Sequence, residues 1–265
     1  MGGYLRGSCP LGCSYSVSLW QTDSGRPRAR CFGGCNEDEV LAAVALGGEI
    51  ELPTTPPSRV HDERRVNGAR LIYRHMALDR RTEVYLRSRG IRRTSSILRF
   101  SEQAPHRLGI RVPAIGAPIV NAAGEMTAVH MTYVRRNGDG KADFVDKEHQ
   151  RECRGPIAGC SIRLLGDDHP RELLIGEGIE STLSAAELFD IPAAWSAINA
   201  TGLSAIRLPR SVRAVVIAAD ADIAGWRNAL RLQERCLSEG IRVRIVSPKI
   251  PGEDFNDVLR RGRDG

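Results

Sequence analysis

Residues 214–225 read AVVIAADADIAG. The apolar run Val215-Val216-Ile217-Ala218-Ala219 has the length of a buried strand, and two acids, Asp220 and Asp222, follow it directly. The same grammar extends over residues 171–265: ELLIG then STLSAAELF; AAWSAI; this run then AGWRNALRLQERCL; RVRIVS then DFNDVLRR. Short apolar runs alternating with helical stretches are the signature of βαβ units around a mostly parallel sheet, so the predicted class is α/β. Glu177 closes the run Leu173-Leu174-Ile175-Gly176, and Asp254 follows the run 243–246 across a Pro/Gly loop. Ligands of open α/β sheets bind outside the carboxyl ends of the strands. Three separate strands thus deliver Glu177, Asp220, Asp222 and Asp254 to one edge.

Carboxylates gathered there repel one another unless a divalent cation neutralises them. Magnesium, or manganese in its place, takes oxygen ligands and bridges protein carboxylates to substrate phosphates. Such a site can hold a nucleoside triphosphate and activate an attacking hydroxyl. Helix capping is the plainer explanation for Asp222 before AGWRNAL and Asp254 before FNDVL, but it leaves Glu177 and Asp220 unexplained. A dinucleotide-binding reading fits poorly, because Gly176-Glu177-Gly178 lacks a third glycine and puts a carboxylate in the phosphate turn.

Upstream, three more zones are expected. Residues 1–46 hold Cys9 and Cys13, then Cys31 and Cys35, two C-x3-C pairs that suit tetrahedral zinc. The segment between them reads as strand, turn at Asp23-Ser24-Gly25 and strand, and a short helix is expected over 38–46. So small a module draws much of its folding energy from the metal. Cys153, Cys160 and Cys236 are expected to be packing residues. Residues 47–60 read as a linker. Residues 61–170 begin helically, with Ala69, Ile72, Tyr73, Met76 and Ala77 on one face and Gly90 ending the pattern. A hairpin follows over 111–134, turning at Asn121-Ala122-Ala123-Gly124, while residues 135–170 carry little signal.

The net charge is +6, yet residues 61–100 alone hold 11 arginines against four acidic residues, a local excess of +7. A focused basic segment suits a polyphosphate partner. Since 35 of the 38 basic residues are arginine, coding bias is the competing explanation. No apolar run approaches a bilayer span, and no signal-peptide pattern opens the chain, so a cytoplasmic location without membrane association is expected.

These motifs resemble the Toprim domain shared by DnaG-type primases, topoisomerases and some nucleases. Glu177-Gly178 matches its Glu-Gly element, Asp220-Ala221-Asp222 with Ala224-Gly225 its Asp-x-Asp element, and Gly252-Glu253-Asp254 its late element. Cys9-Pro10 and Cys31-Phe32-Gly33-Gly34-Cys35 resemble the zinc-binding domain of phage and plasmid primases. The order of modules is also that of a primase. The resemblance implies a zinc ribbon, a small α+β lobe and a catalytic Toprim domain that makes RNA primers from NTPs on single-stranded DNA. It implies magnesium on Glu177, Asp220, Asp222 and Asp254, and one structural zinc on Cys9, Cys13, Cys31 and Cys35. Lys141 and arginines of the basic segment, among them Arg64, Arg65, Arg92 and Arg93, would grip template and nucleotide. Trp20 or Phe32 could stack on template bases or serve as ribbon core.

Two positions depart from the primase pattern. Ser181 stands where an Asp is usual, and Asn256 where the late element often has a second Asp. Asn256 could still offer a carbonyl oxygen. A Toprim-type nuclease and a non-catalytic nucleic-acid-binding replication adaptor are the alternatives. No Walker motif is present, so a separate replicative helicase is the expected partner.

Overall fold

The computed structural model describes residues 5–13, 16–22, 25–31, 35–45 and 59–264. Phe32, most of the 47–60 linker and two residues of the expected Asp23-Ser24-Gly25 turn lie outside them. The chain divides into two units, Met1–Arg64 and Arg65–Gly265.

The first unit holds an antiparallel sheet of β1 (Leu5–Ser8), β2 (Ser16–Gln21) and β3 (Pro27–Cys31), followed by helix α1 (Glu37–Ala45). Asn36 caps the helix, its Oδ1 accepting from the Asp38 N–H at 2.8 Å. Glu37 ties the helix to β3 through Arg28 at 2.6 Å and the Ala29 N–H at 3.0 Å. The core is small: Val17, Leu19, Ala29 and Val40 pack with the cysteines.

Helix α2 (Arg59–Arg74) leads into the second unit, so the last two residues of the expected linker are helical. Helix α3 (Arg81–Ser88) ends just before Gly90, as the pattern predicts. The chain then enters β4 (Arg99–Pro105), a strand in the segment read as basic and helical. The expected hairpin is β5 (Arg111–Val120) and β6 (Met126–Tyr133), with its turn at the predicted Asn121–Gly124. The uninformative stretch supplies β7 (Arg151–Arg154) and β8 (Ile162–Leu165). Strands β4 to β7 form one antiparallel sheet in sequence order.

Next come β9 (Glu172–Gly176), α4 (Ile179–Leu188), β10 (Ala194–Ser196), α5 (Ala200–Ala205), β11 (Ala214–Ala218), α6 (Ile223–Ser238), β12 (Arg242–Val246) and α7 (Phe255–Asp264). They build a sheet of order β12-β11-β9-β10-β8, parallel except for β8, which runs antiparallel against β10. A sheet covered on both faces needs apolar residues at successive positions. Leu173, Ile175, Val215 and Ile217 pack with Leu203, Leu232 and Cys236 of α5 and α6. The intervening Leu174, Val216 and Ala218 pack with Ala185 and Ala186 of α4 and Phe255 of α7. Ala218 pairs with Gly176, so β9 and β11 end level and release their acids side by side.

Candidate functional site

Each acid is placed by the backbone that carries it. Glu177 leaves β9 at its carboxyl end and is only 7% exposed. Its backbone carbonyl accepts from Ser196 Oγ at 2.7 Å, which fixes the strand end to β10. Asp222 caps α6, its Oδ1 accepting from the Gly225 N–H at 2.7 Å. Asp254 caps α7 in a reciprocal pair: its Oδ1 accepts from the Asp257 N–H at 3.0 Å, and Asp257 Oδ2 accepts from the Asp254 N–H. The loop bearing Asp254 is stitched to the Asp-x-Asp loop, since Ala221 N–H donates to the Glu253 carbonyl and Gly252 N–H to the Ala221 carbonyl. Capping and convergence are therefore compatible, because the same two aspartates do both.

Ser181 sits between the elements. Its hydroxyl donates to Asp220 Oδ1 at 3.1 Å and accepts from the Phe255 N–H at 3.3 Å. Gly225 is required for close approach: a Cβ there would lie 2.7 Å from Glu177 Oε1 and 2.6 Å from the Asp220 carbonyl. Asn256 is turned away from this edge. It is fully buried, and its amide donates to the Arg89 carbonyl at 2.6 Å and to Ser184 Oγ at 3.1 Å.

The electrostatics report the convergence. Burial, then the charges of Asp220 and Asp222, push the Glu177 carboxyl up to about 8. Burial and the Asp254 charge raise Asp220 to about 6, although the Ser181 hydroxyl opposes them. Burial also raises Asp254. Glu177 Oε1 is buried and has no hydrogen-bond partner among the described residues. Among the described residues no three of these carboxylates come within 4.8 Å of one another, but the orphaned oxygen of Glu177, which feels the charges of the other three acids, suits a divalent cation with oxygen ligands.

The four cysteines also meet. Their sulfurs all lie within 4.8 Å of one another, with Cys9 to Cys35 at 3.8 Å and Cys13 to Cys31 at 3.3 Å. Ligands about 2.3 Å from a tetrahedral zinc stand about 3.8 Å apart, so the cluster fits that ion with little adjustment. Gly12, at φ +72°, makes the first knuckle, its N–H donating to the Cys9 carbonyl. Trp20 lies half-buried on β2.

The basic residues divide. Arg64, Arg65 and Arg92 are exposed, whereas Arg93 is engaged with Asp190 and the Ile191 carbonyl. Lys141 is mostly buried, 3.4 Å from Glu180. Glu180 and Arg151 were not singled out from the sequence, where the first reads as an ordinary acid in a helix's first turn.

Residues 172–264 match the family described as Toprim domain, and residues 63–164 match one described as a domain of unknown function (DUF7146). No curated protein matches the chain. Among solved structures, a DnaG catalytic core is 20% identical, aligned over 56% of this chain and 48% of its own, with a TM-score of 0.37. A DNA primase domain from Pseudomonas aeruginosa is 19% identical over 72% of this chain and 58% of its own, with a TM-score of 0.38. The zinc-binding and RNA polymerase domains of the Aquifex aeolicus primase are 15% identical over 98% of this chain and 76% of their own, with a TM-score of 0.43. The chain thus spans less than two thirds of the first two structures. Residues 172–264 are a Toprim domain, and the four-cysteine cluster precedes it in the chain.

Proposed function

We propose that the chain synthesises RNA primers on single-stranded DNA by metal-dependent nucleotidyl transfer. What supports this reading is that the strand ends and loops carrying Glu177, Asp220, Asp222 and Asp254 lie along one sheet edge, with a buried oxygen of Glu177 left without a partner among the described residues. Magnesium or manganese held there would neutralise the phosphates of the nucleotide and lower the barrier to attack by a 3′-hydroxyl. Asp220, Asp222 and Asp254 would hold the metal, and Glu177 would be a further ligand or the proton acceptor. Arg64, Arg65 and Arg92, all exposed, supply phosphate contacts to the template. Arg93 lends its charge from a fixed position. The four-cysteine unit, with one structural zinc, engages the template. A cytoplasmic location and a separate replicative helicase accompany this reading.

The test is dinucleotide synthesis from NTPs on single-stranded DNA with magnesium. Asp220→Asn and Asp222→Asn should each lower the rate by about 100-fold or more, and chelation should abolish it. Synthesis at parental rates by either variant rejects the mechanism. Ser181 in place of a usual acid, and Asn256 facing inward, favour a nuclease as the second reading. Magnesium-dependent nicking without NTPs in the same assay would select it.

A further inference from the structure

Beside the acidic edge, one buried acid serves several cations. Glu180 lies in the first turn of α4, three residues past Glu177, and is 5% exposed. An acid there usually faces water and gains from the helix dipole. This one is drawn inward. Tyr85 Oη donates to its Oε1 at 2.6 Å, and Lys141 Nζ lies 3.4 Å from the same oxygen. Arg151, which opens β7, passes the Gly178 backbone: a Cβ on Gly178 would stand 3.7 Å from Arg151 Nη1 and 4.0 Å from Glu180 Oε2. Burial alone would raise the Glu180 carboxyl, but Lys141, Arg151 and the Tyr85 hydroxyl outweigh it and hold it well below the ordinary range. His130 on β6 faces the same carboxylate, and burial holds its imidazole down at about 4, so it adds no charge.

The local charges do not balance. Glu180 faces Lys141 and Arg151, and the charge of Arg89 is felt at Lys141 as well. Arg151 is exposed, and its guanidinium is in no ion pair or hydrogen bond among the described residues. Its Nη1 passes the backbone of Gly178, the residue after Glu177, so the surplus lies beside the acidic edge. Burying an ion pair for stability alone is poor design, since apolar residues of like volume do as well or better. Glu180 fixes Lys141 by direct contact and leaves Arg151, which it does not bond, available for a ligand.

We propose that Glu180, anchored by Tyr85, is a positioning residue that holds Lys141 beside Arg151, the two cations forming a paired receptor for the triphosphate of the incoming nucleotide. This rests on the nucleotidyl-transfer reading. Glu180 touches no reacting atom and acts through Lys141.

Calorimetry of Mg·ATP binding to the full chain, with dinucleotide kinetics, tests it. Glu180→Gln should weaken Mg·ATP binding and raise KM for NTP by about 10-fold or more, with kcat changed less than about 3-fold. Arg151→Ala should do the same, and the double variant should be worse than either single one, because Glu180 acts through Lys141 while Arg151 binds in its own right. Glu180→Asp should recover part of the loss. If Glu180→Gln fails to fold, Tyr85→Phe keeps the charge but loosens the anchor, and should raise KM about 3-fold. Parental KM and affinity in Glu180→Gln, or in Tyr85→Phe where that stands in, or a fall in kcat at unchanged KM, overturns the inference and leaves the primase reading standing. A parent chain that binds no Mg·ATP overturns both.

Discussion

The four acids of the site announce themselves because each ends an apolar run or opens a helix. What a residue does there depends on groups far along the chain. Asn256 reads as a weakened metal ligand, but its amide serves the Arg89 carbonyl and Ser184, partners 167 and 72 residues away. Asn256→Asp should therefore add nothing to metal binding. It should instead cost roughly 1–3 kcal/mol by setting a carboxylate against a buried carbonyl, read as a lower denaturation midpoint. Glu180 is unreadable for the same reason, since Tyr85 and Lys141 reach it from distant segments. Gly225→Ala should be damaging although alanine favours helix, because its Cβ would meet the Asp220 carbonyl. We expect a loss of about 1–3 kcal/mol in stability and impaired magnesium binding by titration calorimetry. Glu177 and Asp220 give a pH signature. Both hold protons more tightly folded than unfolded, so without metal their contribution to stability is complete below the unfolded value of about 4. It is lost as pH rises through about 6 for Asp220 and about 8 for Glu177. The melting midpoint in chelator should fall from about pH 5 to pH 8.5, and magnesium should restore it most at the alkaline end. Equal midpoints across that range would mean the carboxylates stand apart.

Elements were legible where periodicity is pure. The parallel strands β9, β11 and β12 read as apolar runs, and the β5–β6 hairpin read from its alternation and its Asn-to-Gly turn. β8 escaped notice because it is four residues long, IRLL, inside a charged stretch. It is recognisable only through its pairing with β10, which closes one side of the sheet. β4 escaped because RFSEQAP carries too few apolar residues for alternation to show. The first unit was legible from cysteine spacing, and its energetics follow from its size. Few apolar side chains besides the cysteines form its core, so we expect metal ligation to supply much of what holds β1, β2 and β3 to α1. One zinc per chain should be released by a strong chelator, with loss of structure confined to this unit. Cys35→Ser should lower bound zinc to well under half the parental content by atomic absorption. Retained zinc and an unchanged spectrum would show that ligation is not what folds it.

At the scale of the molecule, the two units separate stability from template use. The second unit, Arg65–Gly265, contains its own extended cores: one behind each face of the five-stranded sheet, and further clusters around Tyr85, Phe100 and Tyr133. It also carries every acid of the candidate site, together with Glu180, Lys141 and Arg151. A fragment of residues 65–265 should therefore fold cooperatively and bind magnesium and Mg·ATP within about 3-fold of the full chain. Template use should behave differently. Within the basic stretch 61–100, ten of the 11 arginines remain in the fragment, so it should still bind single-stranded DNA in a salt-dependent way, with affinity falling steeply as salt rises. If the four-cysteine unit engages template at the start site, the fragment should lose template-dependent dinucleotide synthesis by about 10-fold or more while its nucleotide affinity stays. Synthesis and nucleotide binding measured side by side on both proteins decide the matter. Parallel loss of both would mean that the first unit supports the fold of the second, and loss of neither would mean that the zinc unit has no part in template use.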